Sequence, residues 1–149
     1  MTVRVQEEPF DAAEEYAAFR RADNRGATVM FTGTVRQMSE DAGISAMTLE
    51  HYPGMTERAL EDIERQARER WDLRDVLIIH RHGRMLPGED IVLVLTASDH
   101  RRDAYEASMF LMDWLKTKAP FWKLEETDSG ERWVEAKESD DAAAARWEK

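Results

Sequence analysis

The chain contains no cysteine in its 149 residues. That excludes a disulfide framework, a thiolate nucleophile and any metal site built on Cys, and it suits a reducing, cytoplasmic setting. No apolar run approaches the ~20 residues that a membrane span requires. The first eight residues, Met1-Thr2-Val3-Arg4-Val5-Gln6-Glu7-Glu8, lack the apolar core of a signal peptide. Positive charge is also scarce: 21 basic residues face 31 acidic ones, for a net charge of −10. Such a surface repels phosphate backbones and anionic membranes, which disfavours both as general partners. There is no internal repeat, low-complexity linker or composition break. What is present is 42% hydrophobic residues, with 5 Trp, 5 Phe and 3 Tyr. That is enough for one core, so the expectation is a single domain over residues 1–149, with 138–149 as a polar tail.

Val3 and Val5 alternate with polar neighbours, a short strand signal. Asp11 is placed to cap a helix through residues 12–20. Residues 27–35 are β-branched and aromatic and predict a buried strand. Residues 37–43 are polar and predict a loop, and 45–51 predict a second strand. From Met55 to Trp71 apolar residues recur every four positions, the clearest amphipathic helix. Residues 75–81 and 90–97 contain continuous apolar runs and predict central strands. Ser98 or Asp99 is placed to cap a helix over 101–118, which Pro120 ends. Residues 121–125 and 132–135 flank Thr127-Asp128-Ser129-Gly130 as a hairpin. Together these predict a two-layer α+β domain with a mixed or mainly antiparallel sheet and a C-terminal hairpin.

The chemistry gathers in a few short segments. His100-Arg101 falls where a strand gives way to a helix, and helix N-termini bind anions through free N–H groups. Arg36 follows an apolar strand and Gly33, where an Arg suits bidentate phosphate or carboxylate recognition. Lys116, Lys118 and Lys123 surround Pro120-Phe121-Trp122. A bend at Pro120 would let Lys116 and Lys123 converge, and neighbouring ammonium groups depress one another's pKa. Taken singly, each has an ordinary alternative: a solvated Arg, or lysines favoured at a helix C-terminus. His80 and His82 share one side of a strand, yet no third metal ligand is evident. His51-Tyr52-Pro53-Gly54 reads as a structural turn.

Longer strings carry a resemblance. They are Phe31-Thr32-Gly33-Thr34-Val35-Arg36, Leu49-Glu50-His51-Tyr52-Pro53-Gly54-Met55-Thr56 and His80-Arg81. Ser98-Asp99-His100-Arg101, Phe110 to Lys123 and Arg132-Trp133-Val134-Glu135-Ala136 complete them. Together they resemble the catalytic (large) subunit of molybdopterin synthase, from about Phe10 to the C-terminus. The resemblance implies an α/β hammerhead fold. It implies a sulfurtransferase of molybdenum cofactor biosynthesis that converts cyclic pyranopterin monophosphate to molybdopterin by dithiolene formation. The sulfur would come from the thiocarboxylated C-terminal Gly-Gly of a small ubiquitin-like subunit, and no further cofactor is expected. The implied assembly is a homodimer of this subunit within a heterotetramer.

Carried over by motif, Lys116 and Lys123 are the implied catalytic lysines. Arg36, His100 and Arg101 are the implied anion pocket. Phe31 and Met112 would form its walls, and Thr34, Val35, Leu124 and Glu125 would line it through backbone groups. Lys137 stands in a segment that would reach the neighbouring subunit's site. The expectation is one cavity enclosing these groups. Two rival readings remain at this stage: a non-catalytic module that captures a peptide tail, and a phosphate-ester enzyme that needs no protein partner.

Overall fold

In the computed structural model, residues 2–21, 26–39, 42–134 and 138–148 are described. The order is β1 (Val3–Gln6), α1 (Ala12–Phe19), β2 (Ala27–Thr34), β3 (Met38–Ser39), β4 (Ala42–His51), α2 (Met55–Arg70), β5 (Leu73–Arg81), β6 (Gly83–Met85), β7 (Asp90–Ser98), α3 (Arg101–Thr117), β8 (Phe121–Thr127), β9 (Gly130–Val134) and α4 (Glu138–Ala145). A short 3₁₀ turn, Arg146–Glu148, follows.

The strands form two sheets. The first runs β1-β5-β7-β2; β1 lies parallel to β5, and the other pairs are antiparallel. The two continuously apolar strands are the central ones, as a strand buried on both faces requires. On one face Val76, Ile78, Val92 and Val94 meet Leu60, Ile63 and Ala67 of α2 and Phe110, Leu111 and Leu115 of α3. On the other, Leu77, Ile79, Leu93 and Leu95 meet Phe19, with Tyr16 and Phe10 packed at the margin. The second sheet runs β3-β4-β8-β9, with β6 also paired to β4. Its core is Val35, Ile44, Met47, Leu49 and Met85.

Four expectations are corrected. Residues 27–35 form an edge strand rather than a buried one, and Met30 and Phe31 are exposed. The 37–43 segment is not simply a loop, because Met38 and Ser39 pair with Gly43 and Ala42. The buried stripe of α2 runs through Thr56, Leu60, Ile63 and Ala67, while Met55 is exposed. Neither Ser98 nor Asp99 caps α3: the cap position is His100, with no side-chain hydrogen bond. Asp99 is instead taken by Arg74, whose Nε and Nη2 donate to its two oxygens at 2.8 and 3.0 Å. Ser98 Oγ donates to the Asp72 carbonyl at 2.8 Å. A bidentate guanidinium is a stronger partner for a carboxylate than one helix N–H.

Two contacts tie the helices to the strands at the two ends of α3. Thr96 Oγ, fully buried, donates to the Ala104 carbonyl at 2.8 Å and fixes the start of α3 on β7. Thr56, also fully buried, accepts from the Tyr52 N–H at 2.9 Å and donates to the Pro120 carbonyl at 3.1 Å. One hydroxyl thus joins the His51-Tyr52-Pro53-Gly54 turn to the bend after α3, which makes that turn structural. Thr56→Val keeps the volume but leaves a buried amide and carbonyl without this partner. It is expected to lower stability by about 1–3 kcal/mol in urea denaturation. A loss below about 0.5 kcal/mol would mean that the bend is held by other contacts.

Candidate active site

Lys116 projects from the last turn of α3 and is exposed. The helix closes through the Lys118 N–H donating to the Trp114 carbonyl at 2.8 Å. The chain then turns sharply, with the Phe121 N–H donating to the Ala119 carbonyl at 2.7 Å. It enters β8, where alternate residues Phe121, Lys123 and Glu125 share one face. The Phe121 ring lies flat on His80 of β5, with centroids 3.9 Å apart and planes 20° from parallel. Lys116 and Lys123 are therefore carried on either side of a bend seated on a buried imidazole.

The electrostatics of this corner are asymmetric. Arg65, Arg74, Arg81, Arg84 and Arg132 are each paired with a carboxylate. Among the described residues, Lys116 and Arg36 have no such pair, and neither do Arg58, Arg70 and Arg101. Glu125 is 1% exposed. Its carboxylate lies 3.2 Å from Arg132 Nη2 and 3.9 Å from Lys123 Nζ. The Glu125 side chain thus balances Lys123 from within the sheet.

His80 is 8% exposed, and its Nδ1 lies 2.9 Å from the Arg81 carbonyl. A carbonyl only accepts, so Nδ1 carries the proton and the ring is the neutral Nδ1–H tautomer. Burial pushes its pKa down to about 4, the Arg81 hydrogen bond opposes this, and the charges of Lys116 and His82 lower it further.

Arg36 sits just beyond β2, and its backbone is placed by a relay. Buried Arg81 donates to Glu89 at 3.1 Å, and Glu89 accepts from the Leu86 N–H at 2.6 Å. That N–H, then Arg81, holds the Glu89 carboxyl below its ordinary pKa. The Glu89 carbonyl accepts from the Val35 N–H, and the Val35 carbonyl accepts from the Gly88 N–H, each at 2.9 Å. Both backbone groups of Val35 are thereby consumed. Leu124 and Glu125 lie in a strand paired on both sides. The polar backbone groups of these three serve the ladder and the turn. Thr34 is exposed at the register shift of β2, next to Arg36.

The expected single cavity is not formed within one chain. His100 and Arg101 start α3 and Lys116 ends it, so they stand roughly 24 Å apart at 1.5 Å per residue. The sheet agrees: Ala27 pairs with Ser98, whereas Thr34 pairs with Asp90. Arg36 thus lies at the Lys116 end, and His100 lies beyond the other end of β2, which itself spans about 23 Å. Gly26 marks that far corner, where an added Cβ would come 2.0 Å from the Asp99 carbonyl oxygen. Phe31, on the sheet face packed by α3, and half-buried Met112 lie between the two ends. Lys137 lies outside the described residues. Two surface clefts occur elsewhere, one lined by Thr2, Glu61 and Arg68, the other by Arg70, Phe110 and Trp147. Neither includes Lys116, Lys123 or Arg36. Among the described residues no group of three or more His, Cys, Asp or Glu is placed to hold a metal ion.

Sequence reasoning missed the part played by His80, the side chain of Glu125 and the Arg81–Glu89 relay. The available signal was a His continuing the buried run 76–79, at a position where apolar residues were expected.

The fold and this cationic corner define a class: an α+β protein with two lysines set about a proline bend. The family model described as "MoaE protein" matches residues 5–118. The chain is 53% identical over 145 residues to the molybdopterin synthase catalytic subunit of Yersinia pestis, covering 97% of this chain and 96% of that one. It superposes on the molybdopterin biosynthesis MoaE protein of Burkholderia ambifaria with a TM-score of 0.83 and 52% identity, over 99% and 98% of the two chains. It also shares the fold of a Helicobacter pylori protein, solved in a protein–protein complex of subunits 1 and 2 of molybdopterin-converting factor. There the TM-score is 0.74 and the identity 22%, over 93% and 92%. The chain belongs to the MoaE family.

The low pKa of His80 has a consequence for stability. The unfolded chain, with an ordinary value of 6.5, takes up this proton before the folded chain does at about 4. Above pH 6.5 the group is neutral in both states and contributes no pH dependence. As pH falls from 6.5 to 4, a destabilisation of roughly 3 kcal/mol accumulates. Urea titrations at pH 7, 6, 5 and 4 should show this component in the wild type and not in His80→Phe. Equal pH slopes in the two proteins would place the acid sensitivity elsewhere.

Proposed function

We propose that this chain is the catalytic subunit of a molybdopterin synthase. It converts cyclic pyranopterin monophosphate to molybdopterin with sulfur delivered as a thiocarboxylate on the Gly-Gly tail of a small ubiquitin-like subunit. The observation that carries the reading is the pair of lysines, Lys116 and Lys123, held about one bend beside an uncompensated Arg36. In a chain of net charge −10, such a corner attracts a small anion and a carboxyl-terminal tail, while the remaining surface repels polyanions.

Arg36 and Lys123 would hold the substrate phosphate and the incoming tail. Lys116 would act as acid–base or transient nucleophile as the thiocarboxylate sulfur attacks the side-chain carbon of the pterin. Lys123, balanced by Glu125, would stabilise negative charge that develops in the transition state. The remaining members of the set, His100 and Arg101, lie a helix length away. We propose that they serve the site of a second copy. A two-fold axis that runs the two α3 helices antiparallel would bring the N-terminal pair of one copy to the Lys116 end of the other. Exposed Phe31 on β2, and exposed Tyr105 and Met109 on α3, offer apolar surface for such a contact. The chain is proposed to work in the cytoplasm as a single domain; no described helix is long and apolar enough to cross a membrane.

Lys116→Ala, folded and assembled with the thiocarboxylated small subunit, is expected to lose roughly 100-fold or more in dithiolene formation. Near wild-type turnover would refute the lysine's role. The shared site has its own test. Lys116→Ala and His100→Ala chains should each be inactive alone, and co-assembled they should regain one intact site per mixed dimer, about half the wild-type activity. No recovery on mixing would place both groups in the site of the same chain.

A further inference from the structure

The His80 ring is buried, yet half of its hydrogen-bonding capacity is unused. Nδ1 is committed to the Arg81 carbonyl at 2.9 Å. Nε2 then carries a lone pair, and among the described residues no donor is hydrogen-bonded to it. Buried polar atoms without partners are uncommon, and each calls for a reason. The ring is fixed on one side by Phe121 at 3.9 Å, so reorientation to seek a partner would break both the stack and the Nδ1 bond. The charged groups that act on this imidazole are Lys116 from α3 and His82, just past the end of β5. His82 is itself stacked on His51, with centroids 3.9 Å apart. Lys116 sits in the last turn of α3, directly before the bend whose Phe121 covers the ring, which makes it the candidate donor.

We propose that His80 is a positioning residue for Lys116, its neutral Nε2 accepting a hydrogen bond from the Lys116 amine when substrate and sulfur donor fill the site. The inference rests on the proposed role of Lys116 and adds the group that aims it. His80 does not take the proton. With its pKa pushed down to about 4, the imidazole is a poor proton acceptor at neutral pH. The ring supplies direction instead. It offers a lone pair at a fixed place, on the same imidazole that seats the bend toward Lys123. A neutral acceptor also adds no negative charge, so it orients the amine without the large rise in lysine pKa that a carboxylate would cause.

The test uses the complete synthase, this subunit assembled with its thiocarboxylated partner. His80→Phe keeps a ring against Phe121 and removes both nitrogens. The expected result is a 10- to 100-fold fall in kcat with KM for the pterin within about threefold of wild type. His80→Gln, which restores an acceptor, should recover part of the loss. A folded His80→Phe enzyme with kcat within twofold of wild type overturns the proposal, as does a loss confined to KM or to the melting temperature. A second measurement needs neither activity nor a His80 variant. In protein labelled with nitrogen-15 at histidine, the Nε2 resonance of His80 should differ between wild-type and Lys116→Ala complexes loaded with substrate and an unthiolated small subunit. An unchanged resonance overturns the contact even where Lys116→Ala abolishes turnover. A changed resonance with active Lys116→Ala would instead remove the catalytic reading while leaving the contact in place.

Discussion

The bend at Ala119-Pro120-Phe121 is the constraint on which the active corner depends. Lysines at the end of a helix and near the start of a strand are ordinary surface features until the link between them is rigid. Here the link is held from three directions. The Phe121 N–H closes on the Ala119 carbonyl, Thr56 of α2 holds the Pro120 carbonyl, and the Phe121 ring rests on His80 of β5. Proline adds a fixed φ and has no N–H to satisfy. The two amines are thus placed by contacts to a helix and a strand far away in sequence. This is how a flexible side-chain type can be given a defined working position.

Charge is organised around that bend by pairing most cations and sparing a few. Exposed pairs such as Arg84 with Glu126 contribute little to stability. What they do is neutralise many of the guanidinium groups on the surface. Arg36 and Lys116 are two of the cations left without carboxylate partners among the described residues, as are Arg58, Arg70 and Arg101, and what sets them apart is their shared place at one end of β2 and α3. Glu125 works differently. Its burial between Lys123 and Arg132 makes it costly to lose either partner, because a carboxylate deep in a sheet needs compensation. Lys123 is therefore tied to the interior, while Lys116 stands exposed at the end of α3 without a carboxylate partner among the described residues. The two lysines face different electrostatic surroundings, which is how like groups are given unlike tasks.

Much of the fold could be read from periodicity. Val76 to Ile79 and Ile91 to Leu95 announced central strands because burial on both faces removes alternation. Asp11 capped α1 as expected, its carboxylate accepting from the Glu14 N–H at 3.1 Å. The failures have physical causes. Residues 27–35 look buried because β-branched and aromatic side chains suit any pleated surface, and composition does not distinguish an edge strand from a central one. Asp99 looks like a helix cap because the competing Arg74 is 25 positions away in sequence. The same limit applies to the site. Motif resemblance assembled Arg36, His100, Arg101, Lys116 and Lys123 into one set, but a motif carries no distances. His80 was legible only as one of two strand histidines, since its stacking and its orphaned nitrogen exist only once β5 and β8 meet.

The length of α3 then decides how a site of this kind can be complete. A helix is stiff over 17 residues, so no side-chain rearrangement closes a gap of roughly 24 Å between its ends. An extended Arg or Lys reaches only about a quarter of that distance. Either the N-terminal cations of α3 serve another purpose, or a second molecule presents them. A two-fold arrangement meets the second condition economically, because one antiparallel contact supplies both missing halves at once. It also makes assembly a requirement for function. A lone subunit would keep its lysines and its bend, yet hold only part of the positive field that an anionic substrate needs. On the function proposed above, a partner tail entering such a monomer would meet an open surface.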